Sequence, residues 1–411
     1  MAIVKPFKAV RPSRDKVALV SSKSYEAYTP AELGSKLDFN PFTFLHIIHP
    51  GYKHPQEISS EQRFQMVHDR YIEFKENGIF IKEDSPSFYV YESSDSLNSF
   101  CGIIAATAVD DYTNGHIKKH EGTIKKREQL FETYLKATGF NAEPVLLTFK
   151  DDKDIENIIT NEKQKRPEYE FSTTDKRLHK LWLISDEKII KNITEAFKKI
   201  DALYIADGHH RSASSALLAK DLSEENKNHS GNENYNFFMS YLIPESNLQI
   251  SEFNRFVKDL NELSVDEFLI KLDAVFRIEN RGQHLYIPSK KHHFSMYLDG
   301  NFYSLYLRKD MYKFSDALSK LDAEILYKTI LNPILGIKDL TNNSRIGYSH
   351  NKKDIISIKT KVDAGLYKVG FGLIPITVNE MKEIADANLK MPPKTTYIQP
   401  KLRSGLTIYE F

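Results

Sequence analysis

The stretch Ala202-Leu203-Tyr204-Ile205-Ala206-Asp207-Gly208-His209-His210-Arg211-Ser212-Ala213-Ser214-Ser215-Ala216-Leu217-Leu218-Ala219 decides how the rest of the chain is read. A compact apolar run ends at Asp207-Gly208, and small residues with apolar spacing follow, so the segment predicts strand, turn and helix. The first turn of a helix leaves backbone N–H groups unpaired and carries partial positive charge, which makes such a turn a natural anion site. Gly208 lets the backbone approach a ligand closely, and Arg211 can fork two hydrogen bonds onto phosphate or carboxylate oxygens. His209 and His210 add donors, or a proton shuttle near neutral pH. The plainer reading has Asp207 capping the helix and the histidines as partly exposed polar residues. The succession of His, His and Arg favours a ligand site.

Around this turn the chain runs to 411 residues, more than the ~250 to 300 over which one core keeps growing, so two lobes are expected. With 41% hydrophobic and 27% charged residues it reads as a folded globular protein and not as a disordered chain. Lys+Arg 57 against Asp+Glu 56 leaves a formal charge of +1, which supplies no global field for nucleic acid or anionic lipid. The single cysteine, Cys101, allows neither an intrachain disulfide nor a thiolate cluster. The first residues lack the apolar run of a signal peptide, and no window approaches the ~20 apolar residues of a membrane span. A soluble cytoplasmic protein without a membrane partner is expected.

Elsewhere the periodicities alternate. Phe44-Leu45-His46-Ile47-Ile48 reads as a buried strand, and Ser60 to Glu76 as an amphipathic helix. Strands are expected at Ser87 to Tyr91, Cys101 to Thr107, Pro144 to Phe149, Leu181 to Ile184, Phe237 to Ile243, Leu285 to Ile287 and Phe294 to Leu298. Helices are expected within Lys118 to Thr138, from Ser264 to Leu272 and from Asp322 to Ile330. The fold class is therefore α+β, mixed sheets with helices. The polar stretch Ser223 to Asn234 marks the lobe boundary, giving an N-terminal lobe of residues 1–234 and a C-terminal lobe of residues 235–411. Lys290-Lys291-His292-His293 reads as a solvated hairpin end, and His46 and His49, on a strand, as facing opposite ways rather than sharing a metal.

The Asp-Gly-His-His-Arg turn with its small-residue helix resembles the ParB/sulfiredoxin-like superfamily, whose members set a Gly-x-x-Arg turn against nucleotide phosphates. Over nearly its full length the chain resembles an uncharacterised bacterial family, number one thousand and fifteen among the domains of unknown function. The residues that carry this are His120-Glu121-Gly122-Thr123, Ala137-Thr138, Glu143-Pro144-Val145, His179-Lys180-Leu181-Trp182 and Asp186. To these are added Met391-Pro392-Pro393-Lys394-Thr395-Thr396-Tyr397, Pro400-Lys401-Leu402 and Ser404-Gly405-Leu406. Where members show Pro-Pro-Tyr-Asp-Val, this chain has Lys23-Ser24-Tyr25-Glu26-Ala27, which keeps a carboxylate and loses the prolines. The resemblance implies a ParB/sulfiredoxin-like nucleotide-binding core. Through a distant likeness to free L-serine kinase, it also implies phosphoryl transfer from ATP or ADP with Mg²⁺.

The residues separate these activities. Sulfiredoxin chemistry needs a cysteine where His209 stands, and a DNA-binding ParB needs a basic footprint that is missing. No Gly-x-x-x-x-Gly-Lys-Ser/Thr occurs, and Gly370-Phe371-Gly372 lacks the third glycine of a dinucleotide fingerprint. Phosphoryl transfer asks for cations on the phosphates, a carboxylate near the metal and a base for the acceptor hydroxyl. Gly208, His209, His210, Arg211 and Ser212 are the expected phosphate contacts, joined by Lys394 and Lys401 from a C-terminal Pro/Lys strap. Asp207 is the expected metal ligand or acceptor-orienting group, and Glu26 or Glu121 the base. The leading reading is a phosphotransferase acting on a small hydroxylated metabolite such as free serine. The alternative is a non-catalytic nucleotide-binding regulatory protein, and self-association is left open in both.

Overall fold

The computed structural model describes residues 2–24, 27–52, 57–350 and 354–411. Helices and sheets are mixed throughout, as an α+β class requires. The chain forms two compact units, one of Met1–Lys119, Thr123–Leu248 and Pro400–Phe411, the other of His120–Gly122 and Gln249–Gln399. The chain thus leaves the first unit after Leu248 instead of at residue 234, because the strand Phe237–Pro244 pairs with both Ser99–Ala108 and Val145–Phe149.

The first unit is built on a nine-stranded sheet. From one edge its order is Tyr169–Ser172, Leu178–Ile184, Phe88–Ser94, Ser99–Ala108, Phe237–Pro244, Val145–Phe149, Leu203–Asp207 and Ile117–Lys118, with Val4–Lys5 added against Ser99–Ala108. Phe237–Pro244 is entirely buried and Ser99–Ala108 nearly so, which fits central strands covered on both faces. Ile103, Leu147, Leu203 and Ile205 of the sheet share one core cluster with Ile155, Ile159, Ile193 and Phe197 of the helices Lys153–Lys163 and Glu187–Lys198. Asp152 and Asp186 cap those two helices by accepting from backbone N–H groups of the first turn. The helix Lys125–Thr138 ends at Gly139, whose φ of 76° is the left-handed conformation that glycine adopts without strain.

The second unit carries an antiparallel six-stranded sheet in the order Phe276–Gly282, Asn301–Leu307, His293–Leu298, Val369–Gly372, Asn254–Val257 and Ile346–Ser349. Its core joins Val257, Phe294, Met296 and Phe371 to Phe268 and Leu272 of the helix Val265–Asp273. Ser264 caps that helix in a reciprocal box with Glu267.

Four local expectations are corrected. Leu45–Ile48 is one helical turn and not a strand, since a short apolar run does not by itself separate the two. His46 is spent there on the Asn40 carbonyl, 3.1 Å from Nε2. Residues 285–287 form no strand, and Leu285 and Ile287 are exposed, because Phe276–Gly282 is already the sheet edge and leaves them nothing to pair with. The helix from Asp322 is α only to Leu326 and continues as a π turn, Tyr327–Leu331. The Lys290 to His293 turn is not simply solvated: the backbone N–H of His292 donates to Asp322 Oδ1 at 2.9 Å and its ring packs on Tyr312 and Phe314.

Candidate functional site

The strand Leu203–Asp207 lies between Val145–Phe149, to which it is antiparallel, and Ile117–Lys118, to which it is parallel. Its pairing shifts register between Ile205 and Asp207, and such a bulge re-aims the side chains beyond it. Gly208 follows at φ 102° and is the N-cap of the helix His209–Glu225. A Cβ at Gly208 would stand 3.1 Å from Arg211 Nε and Nη2, so the turn needs glycine both for its backbone and for the guanidinium lying against it.

No side chain caps this helix. The Asp207 carboxylate, which the plain reading assigned to capping, is used otherwise. Oδ2 accepts from Arg211 Nη2 at 2.9 Å, and Oδ1 accepts from Lys401 Nζ at 3.0 Å. Burial alone would raise the Asp207 carboxyl, but the Lys401 ammonium and the Arg211 guanidinium outweigh it and hold it below the usual carboxylate range. The Asp207 side chain nonetheless keeps 38% of its exposure and that of Lys401 44%, so both remain open to a ligand.

Arg211 is a clamp. Nη1 donates to the Pro144 carbonyl at 2.6 Å and the Glu143 carbonyl at 3.3 Å, with Glu143 Oε1 3.6 Å away. These bonds tie the helix start to the entry of the strand Val145–Phe149. His210 accepts at Nε2 from the Ile124 backbone N–H at 3.1 Å, a bond that requires Nε2 to carry no proton. His209 is buried. Ser212 is buried as well, and both its amide, at 3.0 Å, and its hydroxyl, at 3.3 Å, return to the Gly208 carbonyl, so this expected phosphate contact is turned inward.

Asp207, Gly208, Arg211 and Lys401 are therefore one cluster within the first unit, with His210 on the same first helical turn. Lys394 and Glu121 belong to the second unit. Lys394 there has its Nζ 5.5 Å from the centroid of the Phe253 ring, and its carbonyl accepts from Arg255. Glu26 lies outside the described residues. Sequence reasoning missed Glu143 and Pro144 as partners of Arg211. Their signal was the proline that opens a buried strand.

The donor set does not fit a resident divalent cation at Asp207. Both carboxylate oxygens already accept from cations, and among the described residues no three His, Cys, Asp or Glu side chains gather to hold a metal. No helix among the described residues is long and apolar enough to cross a membrane.

A family model described as "Protein of unknown function (DUF1015)" matches residues 4–324. No curated protein matches the chain. Among solved structures, a free serine kinase in complex with AMP is similar at 12% identity, covering 74% of this chain and 91% of that one, with a TM-score of 0.34. C-terminally truncated SbnI from Staphylococcus aureus is similar at 12% identity over 74% of this chain and 85% of its own, with a TM-score of 0.38. A conserved hypothetical protein from Pyrococcus furiosus is similar at 14% identity over 74% and 95%, with a TM-score of 0.31.

Proposed function

The chain belongs to the DUF1015 family, and we propose that it is a nucleotide-dependent phosphotransferase that takes ATP or ADP and acts on a small hydroxylated metabolite such as free serine. The observation that carries this reading is the Lys401–Asp207–Arg211 cluster at the mouth of a helix that no side chain caps. A phosphate group arriving there meets the amides and dipole of the first turn and the exposed Lys401 ammonium. Arg211, held by two carbonyls and Asp207, acts mainly by fixing the turn.

Transfer moves a phosphoryl group from the nucleotide to the acceptor hydroxyl oxygen, and the hydroxyl proton passes to a carboxylate. Asp207, kept ionised well below neutrality, is a weak base and suits orientation of Lys401. Proton acceptance is left to another carboxylate, for which the sequence offers Glu26 or Glu121 with no position at the turn assigned to either. Mg²⁺ belongs to the nucleotide as part of the substrate, and the reading assigns it no ligand cage in this chain.

The test is calorimetric titration of the full chain with ATP, ADP and CTP in Mg²⁺ buffer. ATP or ADP is expected to bind, and Lys401→Ala to weaken it. Absence of binding by all three overturns the nucleotide reading. Labelled nucleotide incubated with serine and other hydroxylated amino acids then tests turnover: a phosphorylated product supports the enzyme, while binding without product leaves a non-catalytic regulatory protein.

A further inference from the structure

The largest fully buried side chain among the described residues is an arginine, Arg255, with 1% of its surface exposed. It sits on the strand Asn254–Val257 of the second unit, directly opposite Tyr348 on one side and Phe371 on the other. A buried guanidinium is expensive unless an anion meets it, because desolvation is offset only by pairing and complete hydrogen bonding. Arg255 has no such anion: among the described residues no Asp or Glu forms an ion pair with it. Its neighbours are instead two backbone carbonyls and aromatic rings. Nη1 donates to the Phe253 carbonyl at 2.8 Å, Nη2 to the Lys394 carbonyl at a long 3.3 Å, and the guanidinium carbon is 6.0 Å from the Tyr348 ring centroid. Nε is buried without any partner. Burial pushes the guanidinium down to about 10, a loss only partly offset by the Tyr348 hydroxyl, so at neutral pH the charge is still present and uncompensated.

A second feature is independent of this count. Lys394, whose carbonyl Arg255 holds, has a φ of 57°, a left-handed backbone that non-glycine residues adopt at a cost. The Thr395 hydroxyl bonds back to the Pro392 carbonyl at 2.7 Å and fixes that bend. The bend lays the Lys394 ammonium over Phe253, whose own carbonyl is the other acceptor of Arg255. Two cations are thus drawn to one aromatic residue with no acidic side chain paired to either.

We propose that Arg255 is the carboxylate-holding residue of a ligand site in the second unit, with Lys394 as its neighbouring cation and Phe253 and Tyr348 as its aromatic walls. The ligand class is a small carboxylate. Nε has no partner and Nη2 is held only by its long 3.3 Å bond to the Lys394 carbonyl, and a planar carboxylate matches two parallel N–H donors of a guanidinium. This inference stands apart from the Asp207 turn, which belongs to the other unit.

The test is thermal unfolding of the full chain in rising sodium acetate, against sodium chloride of equal ionic strength and against inorganic phosphate. Acetate is expected to raise the Tm saturably and beyond chloride, and more than phosphate does. Arg255→Met, of similar volume, is expected to unfold at the same or a higher Tm without acetate and to lose the acetate response. Lys401→Ala must keep that response. No acetate effect, an effect matched by chloride, an effect of phosphate alone, or a response retained in Arg255→Met overturns the proposal. If Arg255→Met does not fold, Arg255→Lys carries the test: it keeps the charge without the fork and should weaken acetate about ten-fold or more, whereas unchanged affinity overturns the assignment.

Discussion

Lys401 Nζ reaches Asp207 Oδ1 at 3.0 Å across 194 residues of sequence, and so a distant residue pairs with the carboxylate that precedes the His209–Glu225 helix. Because the Asp207 carboxyl is held below its usual range, its stabilising effect is complete above the unfolded value of about 3.9 and fades as pH falls through the lower folded value. Carboxyl ¹³C NMR should therefore find Asp207 titrating below ~3.9. Lys401→Met should move the midpoint upward. Saturating ADP should move it the same way if the nucleotide phosphate draws Lys401 off the carboxylate. A midpoint that ignores Lys401→Met would remove the ion pair from the account.

Gly208→Ala tests the turn itself. The left-handed φ of 102° and the 3.1 Å approach to Arg211 both oppose a Cβ. The substitution should cost more than ~1 kcal/mol in urea unfolding, above the usual glycine-to-alanine gain reversed in sign. It should also weaken nucleotide binding, since Arg211 must shift and release the Pro144 carbonyl. Stability equal to the natural chain would mean that the turn relaxes freely.

What the sequence made legible was local. The apolar run before Asp207 and the small residues after His209 lie within one short window, and strand, turn and helix appear where that window puts them. The use of Asp207 was not legible, because capping is a local option while Arg211 and Lys401 compete for the same oxygens, one of them from a distant segment. Ser212 looked available for the same reason: nothing in its neighbours reveals that its hydroxyl folds back to Gly208. Leu45–Ile48 and residues 285–287 were misread because an apolar run is ambiguous until a partner strand is found or missing. Arg255 gave no signal at all, since only tertiary packing buries it.

His210 fastens a second helix to the turn. Its Nε2 accepts from the Ile124 N–H, and Ile124 is the N-cap of the helix Lys125–Thr138, which has no side-chain cap of its own. Protonation of the ring would replace the acceptor by a donor and break that bond. His210→Phe should therefore speed amide hydrogen exchange at Ile124 and cost about 1 kcal/mol of stability, the net worth of one hydrogen bond. If exchange at Ile124 is unchanged, water replaces the imidazole without loss.

Glu410 anchors the segment that delivers Lys401. Its carboxylate accepts from Tyr71 at 2.7 Å, Lys75 at 2.6 Å and Lys82 at 2.7 Å, while Tyr409–Glu410 pairs with Phe140–Asn141. Burial would raise the carboxyl, but hydrogen bonds from the two lysines and the tyrosine bring it from 4.5 down to about 2. The depressed value means that Glu410 stabilises the fold fully above pH 4.5 and loses this effect as pH falls from there through about 2. The shift corresponds to at most on the order of 3 kcal/mol at neutral pH, with the side chain 20% exposed. Glu410→Gln should lower stability at pH 7 within that bound and flatten the acid limb of the stability curve, read by urea unfolding at a series of pH values. Because Pro400–Phe411 carries both residues, the same variant should loosen the Lys401 contact and weaken nucleotide binding, whereas Glu225→Gln, which breaks only the exposed pair with Lys136, should do neither.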